Sequence, residues 1–260
     1  MTVLITGGSS GIGYEMSRHF ARDGYRILWV SKPPQELADA KVRLEGEFEG
    51  VEVHTLAQDL SEKEAAQVVY DWAAGTGVVD VLINNAGFGT YGFTQEIPVE
   101  KEVAMIDLHV LGTYRMTRIF LDNMLSRNAG TIINISSITA LQPIMRLNTY
   151  ASTKAFIRHF SMGLQEELMM QNTKVKVITV CPAAIGNTAF KTSADMDDVK
   201  TFNGLVTTTA EEVARDVWRG FSKGKTFILT GRKVRMLYKI QWMLPTWLER
   251  YLIRKESERV

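Results

Sequence analysis

Seven short runs rich in Val and Ile recur along the 260-residue chain: TVLIT (2–6), YRILWV (25–30), VEVHTLA (51–57), VDVLIN (79–84), TIINIS (131–136), VKVITV (175–180) and TFILT (226–230). Most are apolar on both sides rather than at alternate positions. A strand of that kind needs cover on each face, which a parallel sheet between two helix layers provides. Helix-like segments separate most of the runs, over about 12–23, 35–48, 62–74, 99–127, 149–171 and 209–222. Ser61 with Glu64 and Thr209 with Glu212 have capping-box spacing and mark two helix starts. Alternating strands and helices build right-handed crossovers. The pattern predicts a single α/β domain with a doubly wound parallel sheet.

The totals set limits on what such a domain can be. An apolar content of 45% with 23% charged residues fits a soluble globular chain. The single cysteine, Cys181, leaves no internal disulfide and no multi-cysteine zinc site, and it fits a reducing compartment. No metal site is expected. The first strand starts at once, leaving no room for a signal peptide, and no run of 18 apolar residues occurs. A cytoplasmic protein is the expectation. No basic–aromatic platform points to nucleic acid.

Charge is spread unevenly. Residues 221–260 hold ten Lys or Arg against three Glu, a balance of +7, so the first 220 residues carry −6 of the net +1. The domain is expected over 1–230, followed by a basic amphipathic extension over 231–260. That extension mixes Leu237, Ile240, Trp242, Leu244, Trp247, Leu248 and Leu252 with basic residues and is interrupted by Pro245. Such a segment packs on the domain or on a subunit neighbour, or lies peripherally on a membrane surface. Residues 183–208 form a long irregular segment after the sixth strand, a length usually seen in functional lids.

Two motifs carry chemistry on their own. TGGSSGIG (6–13) follows the first strand and opens the first helix. Gly7, Gly11 and Gly13 let the chain turn tightly and bring the backbone N–H groups at a helix start against a phosphate. Ser9, Ser10 and Ile12 complete the candidate cradle, and the Gly-Lys-Ser/Thr ending of a triphosphatase loop is absent. In NTYASTKAF, Tyr150 and Lys154 stand four residues apart and share a helix face. By itself that pair more often marks an ordinary exposed helix edge than a reaction centre.

The Thr-Gly-x3-Gly-x-Gly spacing is accompanied by NNAG (84–87), NISS (134–137) and Tyr-x3-Lys (150–154). With these four motifs in order, the chain resembles the short-chain dehydrogenase/reductase family from residue 2 to about 230. The resemblance implies a Rossmann-type domain with seven parallel strands in the order 3-2-1-4-5-6-7, assembled as a homodimer or homotetramer. Tyr150 would be the general acid or base, Lys154 the charge that favours phenolate and a ligand of the nicotinamide ribose, and Ser137 a donor to the substrate oxygen. Asn85, Ala86 and Gly87 would let the backbone approach the cofactor. Asp59 and Leu60 would lie near the adenine, with helix capping an equal alternative for Asp59. Pro182, Ala183, Ile185 and Thr188 would follow the nicotinamide.

An acidic residue at the end of the second strand would bind a ribose 2′-hydroxyl and repel a 2′-phosphate. Ser31 and Lys32 stand there instead, and a hydroxyl and a cation suit a phosphate. NADP(H) is therefore favoured over NAD(H).

Three positions depart from the family. His109 replaces an asparagine that serves a water-linked proton relay, Ala183 replaces a glycine, and Thr188 stands one residue late. His19, His54 and His159 are read as helix-surface or strand residues. Phe88, Tyr91, Phe93, Leu141, Ile144 and Met145 would line the substrate mouth, with Phe190, Met196, Phe202 and Leu205 on the lid. The expected activity is NADP(H)-dependent hydride transfer to or from a hydrophobic ketone or aldehyde. An NADP(H)-binding regulator without turnover is the rival, and a sugar-nucleotide epimerase fits the glycine spacing less well.

Overall fold

The computed structural model describes residues 1–186 and 207–241, with side chains as far as 236. Its strands are β1 (Thr2–Thr6), β2 (Arg26–Ser31), β3 (Val53–Ala57), β4 (Val81–Asn84), β5 (Thr131–Ile135), β6 (Lys176–Cys181) and β7 (Phe227–Leu229). They form one parallel sheet in the expected order β3-β2-β1-β4-β5-β6-β7. The helices are α1 (Gly11–Arg22), α2 (Pro34–Glu47), α3 (Ala65–Ala74), α4 (Val99–Ile106), α5 (Thr113–Arg127), α6 (Asn148–Met170), α7 (Ala210–Ser222) and α8 (Arg232–Gln241).

Side-chain alternation along each strand divides the apolar runs between two cores. Val3 and Ile5, Ile27 and Trp29, and Ile178 and Val180 face one core, built with α1, α2 and α7. Leu4, Leu28, Val30 and Val177 face the other, built with α3, α5 and α6. Both faces are covered, so the strands read as continuous hydrophobic runs.

Two local expectations change. The Ser61–Glu64 capping box does not form: α3 begins at Ala65, and Glu64 gives it no side-chain cap. Asp59 Oδ1 instead accepts from the Ser61 N–H at 3.0 Å and the Ser61 hydroxyl at 2.7 Å. A short polar side chain bonding the backbone two residues on competes successfully with the cap. The Thr209–Glu212 box does form, with Thr209 Oγ1 accepting from the Glu212 N–H at 3.1 Å.

The helix expected over 99–127 is two helices joined by a π-helical segment, Asp107–Gly112. Such a segment shifts the faces of the helix beyond it and commonly marks a functional site. Here Ile106 and Leu111 remain partly exposed while His109 is completely buried.

Of the irregular segment at 183–208, the two ends meet in a parallel bridge between Ile185 and Thr208. Thr188, Phe190, Met196, Phe202 and Leu205 lie outside the described residues, as do Trp242 and the residues after it. The start of α8 packs on the domain. Val234 is buried with Cys181, Ala183 and Leu229, and the Arg235 guanidinium donates to Asp216 Oδ2 at 3.0 Å. No described helix is long and apolar enough to cross a membrane.

Candidate active site

The turn between β1 and α1 is shaped by its glycines. Gly7 and Gly11 take left-handed backbone angles, φ +64° and +52°. A Cβ on Gly13 would lie 2.1 Å from the Gly7 carbonyl oxygen, and one on Gly8 would lie 2.1 Å from Trp29 Cδ1. Backbone and a buried indole therefore press on the turn from within, while the space above Gly11 is open to 4 Å. Ser10, the N-cap of α1, makes no side-chain capping bond, so the first N–H groups of the helix point at that open space. The cradle fits the pyrophosphate of a dinucleotide.

A second loop, after β4, is locked against the first. Thr6 Oγ1 accepts from the N–H groups of Asn85 and Ala86 at 2.9 and 3.0 Å. The Asn85 side-chain amide donates back to the carbonyls of Thr6 and Gly7, both at 3.0 Å. The two loops stand where the strand order reverses, between β1 and β4, which is where open α/β sheets bind ligands.

At the end of β2, Ser9 donates to Glu36 Oε1 at 2.7 Å and to the Ser31 hydroxyl at 3.2 Å. Lys32 reaches across to Asp59, 2.5 Å from Oδ2. That hydrogen bond raises the lysine pKa. Asp59 thus holds Lys32 and orders Ser61, while Leu60 is buried in the core and Ile12 packs against the opposite core. On the other side, the Pro182 carbonyl accepts from Ile138 at 2.9 Å, and the Ala183 N–H donates to Thr230 at 3.1 Å.

Tyr150 and Lys154 are buried on α6, facing the carboxyl end of β5. The Lys154 ammonium donates to the Ile135 carbonyl at 3.1 Å and stands 5.7 Å from the centre of the Tyr150 ring. Ser136 donates to the Lys154 carbonyl at 2.7 Å, which fixes the helix over the strand end. Ser137 begins the short 3₁₀ turn Ile138–Leu141, accepting from the Thr139 N–H at 3.1 Å, and hydrogen-bonds the Tyr150 phenol.

Burial dominates the electrostatics of this cluster. It pushes the Tyr150 phenol up to about 12, against a smaller lowering by Ser137. It pulls the Lys154 ammonium down to about 8. Desolvation penalises both charged forms, phenolate and ammonium. At neutral pH the site presents a protonated phenol beside a mostly protonated amine.

His109 connects the cluster to the second loop. Its Nε2 accepts from the Phe88 N–H at 3.2 Å, which places the ring proton on Nδ1. Nδ1 lies 2.9 Å from Thr153 Oγ1, and that hydroxyl donates to the Tyr150 carbonyl at 2.7 Å. Burial, with the Lys154 charge adding to it, holds the imidazole well below its ordinary value of 6.5. Both ring nitrogens are engaged and burial disfavours the charged form of the ring. A Cβ on Gly87 would fall 2.5 Å from His109 Nε2, so the ring and this glycine fit only each other.

Several supporting contacts are invisible to motif reading, those of Gly8, Thr6, Ser136, Thr153 and Glu36. Thr153 stands between Tyr150 and Lys154 in sequence, but nothing there signals that a histidine 44 residues earlier is its partner. Asn84 and Asn134 form a further buried ladder with Thr117 and Ser161, tying β4 and β5 to α5 and α6. The motifs NNAG and NISS contain both asparagines. His19 stacks on Trp218, His54 bonds Glu52, and His159 bonds its own helix.

A phosphate cradle at the switch point, flanked by a buried Ser–Tyr–Lys cluster, defines a dinucleotide-dependent oxidoreductase. The short chain dehydrogenase family model matches residues 1–198, and the chain belongs to that family. The NADP-dependent 3-hydroxy acid dehydrogenase YdfG of Escherichia coli is 31% identical over 224 residues, covering 84% of this chain and 88% of the relative. Among solved structures, a short-chain dehydrogenase from Sphingobium yanoikuyae in complex with NADPH is similar at TM-score 0.79 and 28% identity, covering 88% of this chain and 87% of that one. The bulky-bulky ketone specific alcohol dehydrogenase of Comamonas testosteroni is similar at TM-score 0.75 and 25% identity, covering 88% and 85%.

Proposed function

We propose that the protein is an NADP(H)-dependent oxidoreductase acting on a carbonyl or alcohol group, most simply in the direction of carbonyl reduction. The observation that carries this reading is the neutral, buried Tyr150 phenol, hydrogen-bonded to Ser137 with Lys154 alongside. The nicotinamide, when bound, supplies the hydride. Tyr150 Oη gives its proton to the substrate oxygen, and Ser137 donates a second hydrogen bond to that oxygen as charge builds there. Lys154 supports the phenolate left behind and contacts the ribose. Gly7, Ser9, Ser10, Gly11, Ile12 and Gly13 hold the pyrophosphate. Asn85, Ala86 and Gly87 wall the ribose side, and Pro182, Ala183 and Ile185 the nicotinamide side.

The substrate has an apolar body. Met105, Leu147 and Tyr150 form one buried cluster against which Phe88, Tyr91 and Ile144 pack, which supports a hydrophobic ketone or aldehyde. Screening NADPH oxidation against a panel of ketones and aldehydes tests the reading. Tight NADPH binding with no oxidation by any of them would favour a cofactor-sensing regulator instead. Exposed Val103, Leu111, Tyr114 and Phe156 support assembly into a homodimer or homotetramer. The basic extension adds a peripheral membrane contact to a cytoplasmic protein in this reading, tested by sedimentation with anionic vesicles at low and high salt.

Preference for NADP(H) rests on Ser31 and Lys32 at the end of β2 and on the named cofactors of the relatives. Lys32→Asp sets an anion beside Asp59 and against the 2′-phosphate. The ratio of catalytic efficiencies with NADPH and NADH is expected to fall at least about tenfold, the equivalent of one charge-assisted hydrogen bond. An unchanged ratio places phosphate recognition elsewhere.

His109 is a positioning residue in this reading, holding the Phe88 backbone and Tyr150 helix at a fixed separation. Because its ring does not titrate near neutrality, His109→Asn is expected to leave the shape of the pH–rate profile unchanged between about pH 6 and 8 while lowering kcat. A profile shifted within that window would restore His109 as a proton relay.

A further inference from the structure

Arg146 is the one arginine among the described residues held at positive φ, at +62°. Bulky side chains rarely occupy that region, and where they do the strain commonly sits at a functional position. The surroundings hold it there. The Arg146 carbonyl accepts from the Gly92 N–H at 2.9 Å, joining the segment before α6 to the loop after β4. Its guanidinium lies over the rings of Phe93, at 5.0 Å, and Tyr91, at 5.8 Å. One hydrogen bond reaches the Tyr91 hydroxyl, long at 3.4 Å.

Among the described residues no carboxylate forms an ion pair with Arg146, a state it shares with several other arginines, including Arg22 and Arg43, which also lie over aromatic rings. Arg146 is half-buried, and the aromatic rings on which it lies leave the edges of its fork without a carboxylate partner. Tyr91, which carries it, packs against the same buried cluster that contains Leu147 and Tyr150. A cation is thus fixed beside the apolar cluster that contains the Tyr150 phenol. A purely hydrophobic ketone would leave it with nothing to do.

We propose that Arg146 binds a carboxylate on the substrate, so that the enzyme acts on oxo acids or the corresponding hydroxy acids with an apolar body. The planar fork of an arginine matches a carboxylate with two parallel hydrogen bonds, and aromatic faces pre-order it for that contact. The carboxylate anchors one end of the molecule at Arg146 while the carbonyl to be reduced reaches Tyr150 and Ser137. This assignment rests on the oxidoreductase reading above and narrows its substrate class.

The test compares 5-oxohexanoate with its primary amide, using the full-length protein and NADPH. The wild type is expected to prefer the acid by about 10- to 100-fold in kcat/KM, the range of a charge-assisted contact, with most of the difference in KM. Arg146→Gly suits the left-handed backbone and should fold. It is expected to erase that preference, and Arg146→Lys should recover part of it. Equal rates on acid and amide in the wild type, or an acid preference that survives in Arg146→Gly, would overturn the proposal. If no carbonyl compound is reduced, the oxidoreductase reading fails, and calorimetric binding of hexanoate and hexanamide to the NADP⁺-loaded protein decides the Arg146 site separately. Hexanoate binding at least tenfold tighter than hexanamide, and lost in Arg146→Gly, supports the carboxylate site; equal binding overturns it.

Discussion

Tyr150→Phe is expected to lower turnover by about 10²–10⁴-fold, the usual contribution of a general acid, while leaving NADPH affinity and the melting temperature nearly unchanged. The reason lies in what the hydroxyl touches. The ring is buried against Met105 and Leu147, and those contacts survive the substitution. The phenol oxygen bonds Ser137, and with a pKa near 12 it keeps its proton throughout the physiological range. Only the proton that passes to the substrate oxygen is lost, so KM should change little and kcat should carry the effect. A variant that retains the wild-type rate would remove Tyr150 from the mechanism.

The second large effect has two parts of opposite benefit. Lys154→Met is expected to abolish turnover and at the same time to stabilise the protein. Burial lowers the Lys154 pKa from the ordinary 10.5 to about 8, so at pH 7 the folded chain carries an ammonium that it would more easily hold when unfolded. The difference corresponds to about 3 kcal/mol of destabilisation. The sign follows from proton counting. Between about pH 8 and 10.5 the unfolded chain binds a proton that the folded chain has released, so this contribution to stability improves as pH rises through that window. Below about 8 the penalty is present in full. Methionine removes it and loses the hydrogen bond to the Ile135 carbonyl, worth about 1 kcal/mol, so a rise of several degrees in melting temperature is expected at pH 7. The gap between variant and wild type should close as the pH approaches 10.5. A variant less stable than wild type at pH 7 would show that the ammonium is solvated or paired well enough to cost nothing.

Both predictions concern residues whose identity was legible in the sequence and whose electrostatics were not. The Tyr-x3-Lys spacing puts the pair on one helix face, but the sign of the pKa shifts depends on how much of the chain closes over them. Desolvation comes from β5, the 3₁₀ turn and the π-helical segment together.

The same division holds elsewhere. Apolar runs read as doubly covered strands because burial on two faces leaves a pattern in a short window, while the sheet order came with the family resemblance. Thr209 and Glu212 cap α7 because the bonds of a capping box are local. Ser61 and Glu64 had the same spacing, but Asp59, two residues from the serine, took its hydroxyl first. Spacing alone does not rank competing acceptors.

The sequence by itself determined the parallel strands, the crossovers and the glycine turn, since each is written in residue type at short or fixed spacing, and the family resemblance singled out Ser137, Tyr150 and Lys154. Only the tertiary structure decided the surroundings of His109 and Arg146. His109 is neutral because Phe88 and Thr153, from loop and helix, close on its two nitrogens within a pocket that excludes water. Arg146 lies over Tyr91 and Phe93 with no ion pair to a described carboxylate. The charge and availability of such groups depend on distances between segments far apart in the chain, and those distances exist only once the chain has packed.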